Sequence, residues 1–407
     1  MKAELYRESF DSLSSAQKSL LTELIEYACA SLEPSPTKRE LAERRYKAVG
    51  KWLSESDSPM FKSAEIYPQG SQRIGTTVKP LSQNEFDLDF ICYLPNAVDI
   101  HPDICRQNVV QRLKENGHFK DLVSELNRGC RVDYADDFHL DITPSIPDQN
   151  NANEAYAISV PDKKLQEWKA SNPKGYANYF DSIAELMPHY KGYMDRAILT
   201  EAVSNESIEE LPEHSQFKGI LRRSVQIMKR HRDLLFSATP QLNGKAPISI
   251  IITTLAAKVY QDIVTNNVFD NELEVLLTVV ERMPEYIERR VYGNRIELWV
   301  PNPKNQYENF AEKWNLDPQR IEAFRFWHCD IMAKLRELST VKSLQFIKAR
   351  LEELLGESPS KTAIAKHYEV INHNREQQNL FVKSSGAVTT FATCTPVKAN
   401  TFFGAHE

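Results

Sequence analysis

The chain has 407 residues, with 50 Lys and Arg against 56 Asp and Glu and a formal net charge of −6. Hydrophobic residues make up 41%, which excludes a wholly disordered chain and gives enough apolar material for a sizeable core. The acidic balance argues against a protein that wraps long nucleic acid, because such proteins carry a basic excess, but not against a small nucleotide escorted by a cation.

The first residues, Met1 to Glu8, are polar and mixed in charge, unlike a signal peptide. The longest apolar run, Ile248 to Ala257, is broken by Ser249, Thr253 and Thr254, so no membrane partner is expected. Six cysteines are scattered at 29, 92, 105, 130, 329 and 394 with no Cys-x-x-Cys pair. That pattern suits reduced thiols and a cytoplasmic location. His101-x3-Cys105 and His328-Cys329 have the form of zinc half-sites but lack a convincing second half, and zinc is not expected.

Leu13, Leu20, Leu21, Leu24, Ile25, Ala28 and Leu32 recur at helical spacing. Glu33-Pro34-Ser35-Pro36 breaks that helix. Thr37, three residues before Glu40, has the capping-box pattern and predicts a second helix to about Ser54. The period then changes. Phe86, Leu88 and Phe90 alternate with Asp87, Asp89 and Ile91, and Phe138, Leu140 and Ile142 alternate with His139, Asp141 and Thr143, which predicts two strands. Between them a helix is expected from about Asp103 to Gly117 and a short strand over Arg131 to Tyr134. Ala135-Asp136-Asp137 is the expected turn joining two antiparallel strands. Residues 63–160 therefore form a small mixed sheet with helices on it. Residues 150–215 read partly as loop. Helices follow at about 216–236, 247–264, 271–284 and 318–355, with Arg295 to Val300 strand-like. From Lys383 the chain is poor in periodicity and is expected to be flexible.

Residues two apart on a strand share a face, so Asp87 and Asp89 project together with apolar neighbours behind them. Asp141 follows the same logic. If the two strands are adjacent, three carboxylates converge, and their repulsion calls for a cation. Mg²⁺ fits, because it takes oxygen ligands and shares its shell with phosphate oxygens. The expected chemistry is two-metal phosphoryl transfer, with Asp87 and Asp89 bridging both ions and Asp141 holding the ion beside the nucleophile. Mn²⁺ is a possible substitute. Gly70-Ser71 precedes the carboxylates. Glycine lets the backbone approach closely, and successive amides with the Ser71 hydroxyl can cradle phosphate oxygens. Gln69 and Gln72 are auxiliary candidates. A lone Asp-x-Asp is a weak signal, because solvent-facing carboxylates on alternating strands are common, and a lone Gly-Ser is weaker still; the joint order is what carries the reading.

Lys218 to Phe236 reads as a helix with an apolar stripe of Leu221, Val225 and Met228 and a cationic side of Arg222, Arg223, Lys229, Arg230 and Arg232. Most of those cations are expected on a solvated face. Lys229 is the exception, because Ser249, after Pro247-Ile248, heads a very apolar helix where it can cap the helix or face an anion.

Pro68-Gln69-Gly70-Ser71-Gln72-Arg73-Ile74-Gly75-Thr76, Glu85-Phe86-Asp87-Leu88-Asp89 and His139-Leu140-Asp141-Ile142-Thr143-Pro144 resemble the CD-NTase family, the bacterial relatives of cyclic GMP–AMP synthase and of the Vibrio dinucleotide cyclase. Lys229-Arg230-His231-Arg232-Asp233, Pro247-Ile248-Ser249, Asn302-Pro303 and Glu308-Asn309-Phe310-Ala311 are also similar. The resemblance spans roughly 60 to 315. It implies an α+β fold, with a polymerase-β-like nucleotidyltransferase core, a helical second lobe and the active site in the cleft between them. The corresponding domains are N-terminal helices at 1–60 packing on both lobes, the core at 61–160, the second lobe at 161–382 and the tail at 383–407. It implies a cyclic di- or trinucleotide made from nucleoside triphosphates, ATP among them, with two Mg²⁺ ions. It implies an anti-phage role in which the product activates a separate effector, with an operon-encoded conjugating or regulatory partner possible at the C-terminal tail. Gly70 and Ser71 match the phosphate-binding turn, Asp87, Asp89 and Asp141 the metal triad, and Lys229 and Ser249 the lysine and serine on the donor triphosphate. One departure is Ile250, where the animal enzyme has a base-stacking tyrosine. The competing readings are a template-independent RNA-tailing enzyme, a protein or small-molecule nucleotidylating enzyme, and a non-catalytic nucleotide-binding scaffold.

Overall fold

The structure, a computed structural model, describes residues 13–81, 86–134, 138–151, 153–191, 218–341 and 343–377 and the pairs 381–382, 388–389 and 395–396. The chain divides into one unit of residues 32–336 and a second built from residues up to Ser31 and from Glu337 onward.

Helix α1 (Ser15–Ser31) ends where the Pro34 and Pro36 segment begins. Helix α2 (Pro36–Ser54) follows, but its cap is Ser35, whose side chain accepts the Lys38 amide hydrogen, and not Thr37. The physical reason is Pro36: its fixed φ and missing N–H suit the first helical position, which moves the start one residue ahead of Thr37.

The larger unit is organised on a seven-stranded mixed sheet. Its strands are β1 (Glu65–Pro68), β2 (Phe86–Tyr93), β3 (Val123–Glu125), β4 (Cys130–Tyr134), β5 (Phe138–Pro147), β6 (Ile158–Asp162) and β7 (Glu167–Ser171), with the short helix α3 (Gly70–Arg73) after β1 and α4 (Pro102–Lys114) after β2. The order is β1-β2-β5-β4-β3, with β6 on β5 and β7 on β6. β2 and β5 are parallel neighbours, and β4 and β5 are antiparallel. The turn expected at Ala135 to Asp137 lies outside the described residues.

The alternation of β2 and β5 has its predicted effect. Leu88, Phe90, Leu140 and Ile142 are buried, and Asp87, Asp89 and Asp141 face the other way. Tyr46 of α2 stacks on Phe90 with ring centroids 4.3 Å apart and donates its hydroxyl to the Ile66 carbonyl at 3.1 Å. Cys92, Cys105 and Cys130 lie in the same core, where burial holds their thiols above the ordinary range.

Beyond the sheet come α5 (Pro173–Ala184), β8 (His189–Tyr190), α6 (Ile220–Ser237), α7 (Ser249–Asn266), β9 (Val268–Phe269) and α8 (Glu272–Arg282). Two hairpins follow, β10 (Glu288–Tyr292) with β11 (Arg295–Trp299) and β12 (Pro301–Asn302) with β13 (Asn305–Asn309), then α9 (Glu312–Leu316) and α10 (Gln319–Leu338). The expected single helix over 318–355 is two helices. α10 stops at Leu338, and α11 (Leu344–Leu355) starts afresh at Ser343, whose side chain accepts the Phe346 amide and so favours a new start.

In the smaller unit α1 packs with α11 and with α12 (Glu357–Glu376). His367 of α12 lies 3.4 Å from the Glu23 carboxylate of α1. Most of the tail from Lys383, including Cys394, lies outside the described residues; two strand pairs within it, Val388–Thr389 and Thr395–Pro396, flank Phe381–Val382. Among the described residues no helix is long and apolar enough to cross a membrane.

Candidate active site

Asp89 and Asp141 are register partners across the parallel β2–β5 pair, and Asp87 is opposite His139 one pleat away. The strand period therefore places all three carboxylates on one face of two adjacent strands. On the other side of β5, Arg131 is the register partner of Asp141. Its Nε donates to Asp141 Oδ1 at 2.6 Å, and its Nη2 donates to Asp141 Oδ2 at 2.8 Å and to Asp87 Oδ1 at 3.1 Å. These charge-assisted bonds raise the arginine above its ordinary value. Sequence reading gave Arg131 no role, although its place on β4 opposite Asp141 follows once the β4–β5 hairpin is recognised.

Asp89 makes no ion pair with Arg131. Burial first, then the negative charges of Asp141 and Asp87, pushes its carboxyl from 3.8 up to about 7. The charges of Lys229 and Arg131 pull the other way but do not outweigh burial and the two neighbouring carboxylates. The donor set is all oxygen, which fits a hard divalent cation. Among the described residues no three His, Cys, Asp or Glu side chains already form a metal cage; the guanidinium of Arg131 is the cation that Asp141 and Asp87 share.

The Gly-Ser turn lies against the same carboxylate. Gln69, half-buried between β1 and α3, donates its amide hydrogen to the Asp89 carbonyl at 2.8 Å. Gly70 has φ +64, and a Cβ there would stand 2.6 Å from Asp89 Oδ2. Both facts require glycine at this position. Ser71 accepts the Thr76 amide through its carbonyl at 2.9 Å, while its hydroxyl lies 3.5 Å from Thr77 Oγ1. Gln72 is buried and accepts from Thr77 Oγ1 at 3.1 Å, so it supports the turn from within.

Helix α6 departs from expectation. Its cations are not a solvated face: Arg223, Lys229 and Arg230 are 7%, 6% and 8% exposed. Arg223 Nη2 donates to Glu272 Oε1 at 2.6 Å, and other donors go to main-chain carbonyls of the segment after the Gly-Ser turn. Arg222 Nε reaches Ile74 O at 3.1 Å, Lys218 Nζ, just before the helix, reaches Gly75 O at 2.7 Å, and Lys229 Nζ reaches Thr76 O at 2.8 Å. Gln226 Nε2 reaches Thr77 O at 3.0 Å and Arg230 Nη1 reaches Lys79 O at 3.2 Å. A loop without regular pairing leaves carbonyls that need donors, and a basic helix beside it supplies them. Periodicity cannot distinguish this use from solvation. Burial first, then the positive charge of Arg232, lowers Lys229 from 10.5 to about 7.

Ser249 is the first residue of α7; the N-cap position is Ile248, and no side chain caps the helix. The Ser249 hydroxyl instead accepts from Arg232 Nη1 at 2.9 Å, and the same nitrogen donates to Pro247 O at 3.1 Å. Arg232 thus joins α6 to the start of α7. Ile250 is half-buried beside it.

Residues 20–183 match the family described as the Second Messenger Oligonucleotide or Dinucleotide Synthetase domain. A c-di-GMP synthase of Roseivirga ehrenbergii is 29% identical over 398 residues, covering 96% of this chain and 99% of that protein. The cyclic dinucleotide synthase CdnG of Bradyrhizobium diazoefficiens is 22% identical over 283 residues, covering 67% of this chain and 65% of the relative. Solved structures share the fold, two of them as follows. The CD-NTase CdnG of Bradyrhizobium diazoefficiens, in complex with GTP, superposes with a TM-score of 0.64 at 18% identity, covering 86% of this chain and 99% of that one. CdnC of E. coli MS115-1 with ATP does so with a TM-score of 0.56 at 14% identity, covering 83% and 97%.

Proposed function

We infer the reaction from the premise that this chain belongs to the CD-NTase family, to which the synthetase domain, the full-length curated relative and the shared α+β fold assign it. The chain is a nucleotidyltransferase that makes a cyclic dinucleotide. A sugar hydroxyl of one nucleoside triphosphate attacks the α-phosphorus of another. A new phosphorus–oxygen ester bond forms, the bond to the β-phosphate bridge breaks, and pyrophosphate leaves. A second, intramolecular transfer closes the ring and releases a second pyrophosphate.

The observation that carries this reading is the pairing of Asp89 with Asp141 beside Asp87 on one sheet face, under the backbone of Gly70. Asp87, Asp89 and Asp141 are the residues that would hold two Mg²⁺ ions, with Mn²⁺ as a substitute; when bound, the ions would supply charge neutralisation for the triphosphate and a lower pKa for the attacking hydroxyl. The chain's own residues do the rest by positioning, which is most of what phosphoryl transfer asks of a protein. Gly70 and Ser71 bring amides and a hydroxyl to the phosphates, with Gln69 beside them. Lys229 holds the carbonyl of Thr76 and so fixes the turn, and in this reading Lys229 and Ser249, the latter held by Arg232, are the second-lobe contacts to the donor triphosphate.

The full-length relative is named for c-di-GMP, and the CdnG structure contains GTP. Both support GTP as one substrate here, with ATP tested beside it. In this reading the product serves a separate effector in anti-phage defence. A regulatory partner is supported by the CdnC of E. coli MS115-1, solved in complex with HORMA. The test is to incubate the chain with Mg²⁺ and each combination of the four nucleotides, then measure product mass and phosphatase resistance. A cyclic product has no terminal phosphate. A product that carries terminal phosphates, lost to phosphatase with the corresponding fall in mass, would sink the assignment in favour of a linear product.

A further inference from the structure

We propose that Arg131 is the resident counter-cation of the carboxylate cluster: it holds Asp87 and Asp141 in place before a metal arrives, and it must let go of them when a divalent cation enters. The inference rests on the metal-dependent reading above and concerns a residue outside the acidic triad.

Three observations carry it. Arg131 spends three N–H donors on the two carboxylates, at 2.6, 2.8 and 3.1 Å, so the oxygens Oδ1 and Oδ2 of Asp141 and Oδ1 of Asp87 are all engaged by one guanidinium. Those oxygens keep further lone-pair sites, but a guanidinium charge held this close repels an entering dication, so the arginine and a metal would compete for the same pair of carboxylates. Next, Arg131 is built into the sheet. It is the cross-strand partner of Asp141 on β4, and its neighbours Cys130 and Val132 are fully buried. The strand therefore fixes where the side chain starts, and it is only partly exposed, at 28%. Finally, the guanidinium does not extend to Asp89, the register partner of Asp141 on β2. A counter-cation that bonds two of the three carboxylates leaves the third without a guanidinium N–H, so the cluster is only partly satisfied by it.

The consequence is a competition. A planar, delocalised monocation would be exchanged for compact divalent ones, and the guanidinium would be freed from both carboxylates.

The test uses the full chain without nucleotide. Mn²⁺ binding is measured by calorimetry for the wild type, Arg131→Gln and Arg131→Lys, and the melting temperature of each is taken in chelator and in saturating Mn²⁺. Arg131→Gln is expected to bind Mn²⁺ about tenfold more tightly, to melt lower in chelator, and to recover more than the wild type on adding Mn²⁺. Arg131→Lys keeps the charge but loses the fork, and is expected to fall between the two. In the wild type, the Arg131 Nε–H resonance should be slow to exchange in chelator and should lose that protection in saturating Mg²⁺. Unchanged or weaker Mn²⁺ affinity in a folded Arg131→Gln protein would overturn the proposal, as would a protected Nε–H at Mg²⁺ saturation. None of these readouts requires turnover. A chain that makes no cyclic product but shows this competition would refute the proposed reaction alone.

Discussion

Lys229 Nζ lies 2.8 Å from the carbonyl oxygen of Thr76, 153 positions earlier in the chain. The contact ties α6 to the residue that also bonds back to Ser71. Lys229→Ala should therefore act in two ways. It leaves a buried carbonyl without its donor, which costs about 1–3 kcal/mol in denaturant unfolding. It also lets the Gly-Ser turn relax and removes charge near the triphosphate, so the KM for each nucleotide should rise about tenfold. An unchanged KM for every nucleotide would remove Lys229 from the binding machinery.

Gly70→Ala puts a methyl where Asp89 Oδ2 stands and asks an L side chain to adopt φ +64. Either the turn or the carboxylate must move. A displacement of an ångström at such a centre is expected to lower kcat/KM about 100-fold. Steady-state kinetics checks this, with circular dichroism confirming that the fold survives.

Asp87→Asn with Asp89→Asn keeps shape and hydrogen-bonding size while removing two charges from the face opposite the core. Product formation should fall by a factor on the order of 1,000 or more. Stability in chelator should not fall, because like charges are being removed from one site. Turnover near wild-type levels in this double variant would end the metal-site reading.

Asp89 also makes the metal-free stability depend on pH. Its folded value is about 7, above the 3.8 of an ordinary aspartate. The folded state then binds the proton more tightly than the unfolded state, and stability in chelator should decrease as pH rises from about 4 to about 7. Lys229 has the opposite sense. Its folded value of about 7 lies below 10.5, so above neutrality the unfolded state holds more protons and stability should increase with pH. Melting temperatures in chelator from pH 4 to 10 should trace a minimum near neutrality, and Asp89→Asn should abolish the acid-side slope.

The sheet and its acidic face were legible because both rest on local rules. The alternation of Asp87, Leu88, Asp89 and Phe90 is a period of two, and period two decides which side faces the core. The parallel pairing of β2 with β5 was not written in either strand; it is a long-range choice that only set the condition under which the carboxylates would meet. Arg131 was missed for the same reason, since its partner lies across a strand pair and not along the chain. The basic side of α6 was misread because a cation that bonds a backbone carbonyl and one that bonds water look alike in a helical wheel. The cap at Ser35 shows the remaining limit: two residues with capping chemistry stood two positions apart, and the intervening Pro36 decided between them.

The anchorage of the 74–79 segment is written on one partner only. Its acceptors at Ile74, Gly75, Thr76, Thr77 and Lys79 are main-chain oxygens, which every residue type possesses. Its donors are five particular side chains on or beside α6. A saturation-mutagenesis library should therefore find the attachment itself lost through the helix donors, whereas Gly75, at φ +69, and the buried Ile74, Thr76 and Thr77 are constrained by conformation and packing instead; an engineer wishing to re-aim the turn would edit Lys218, Arg222, Gln226, Lys229 or Arg230 and leave the loop as it stands.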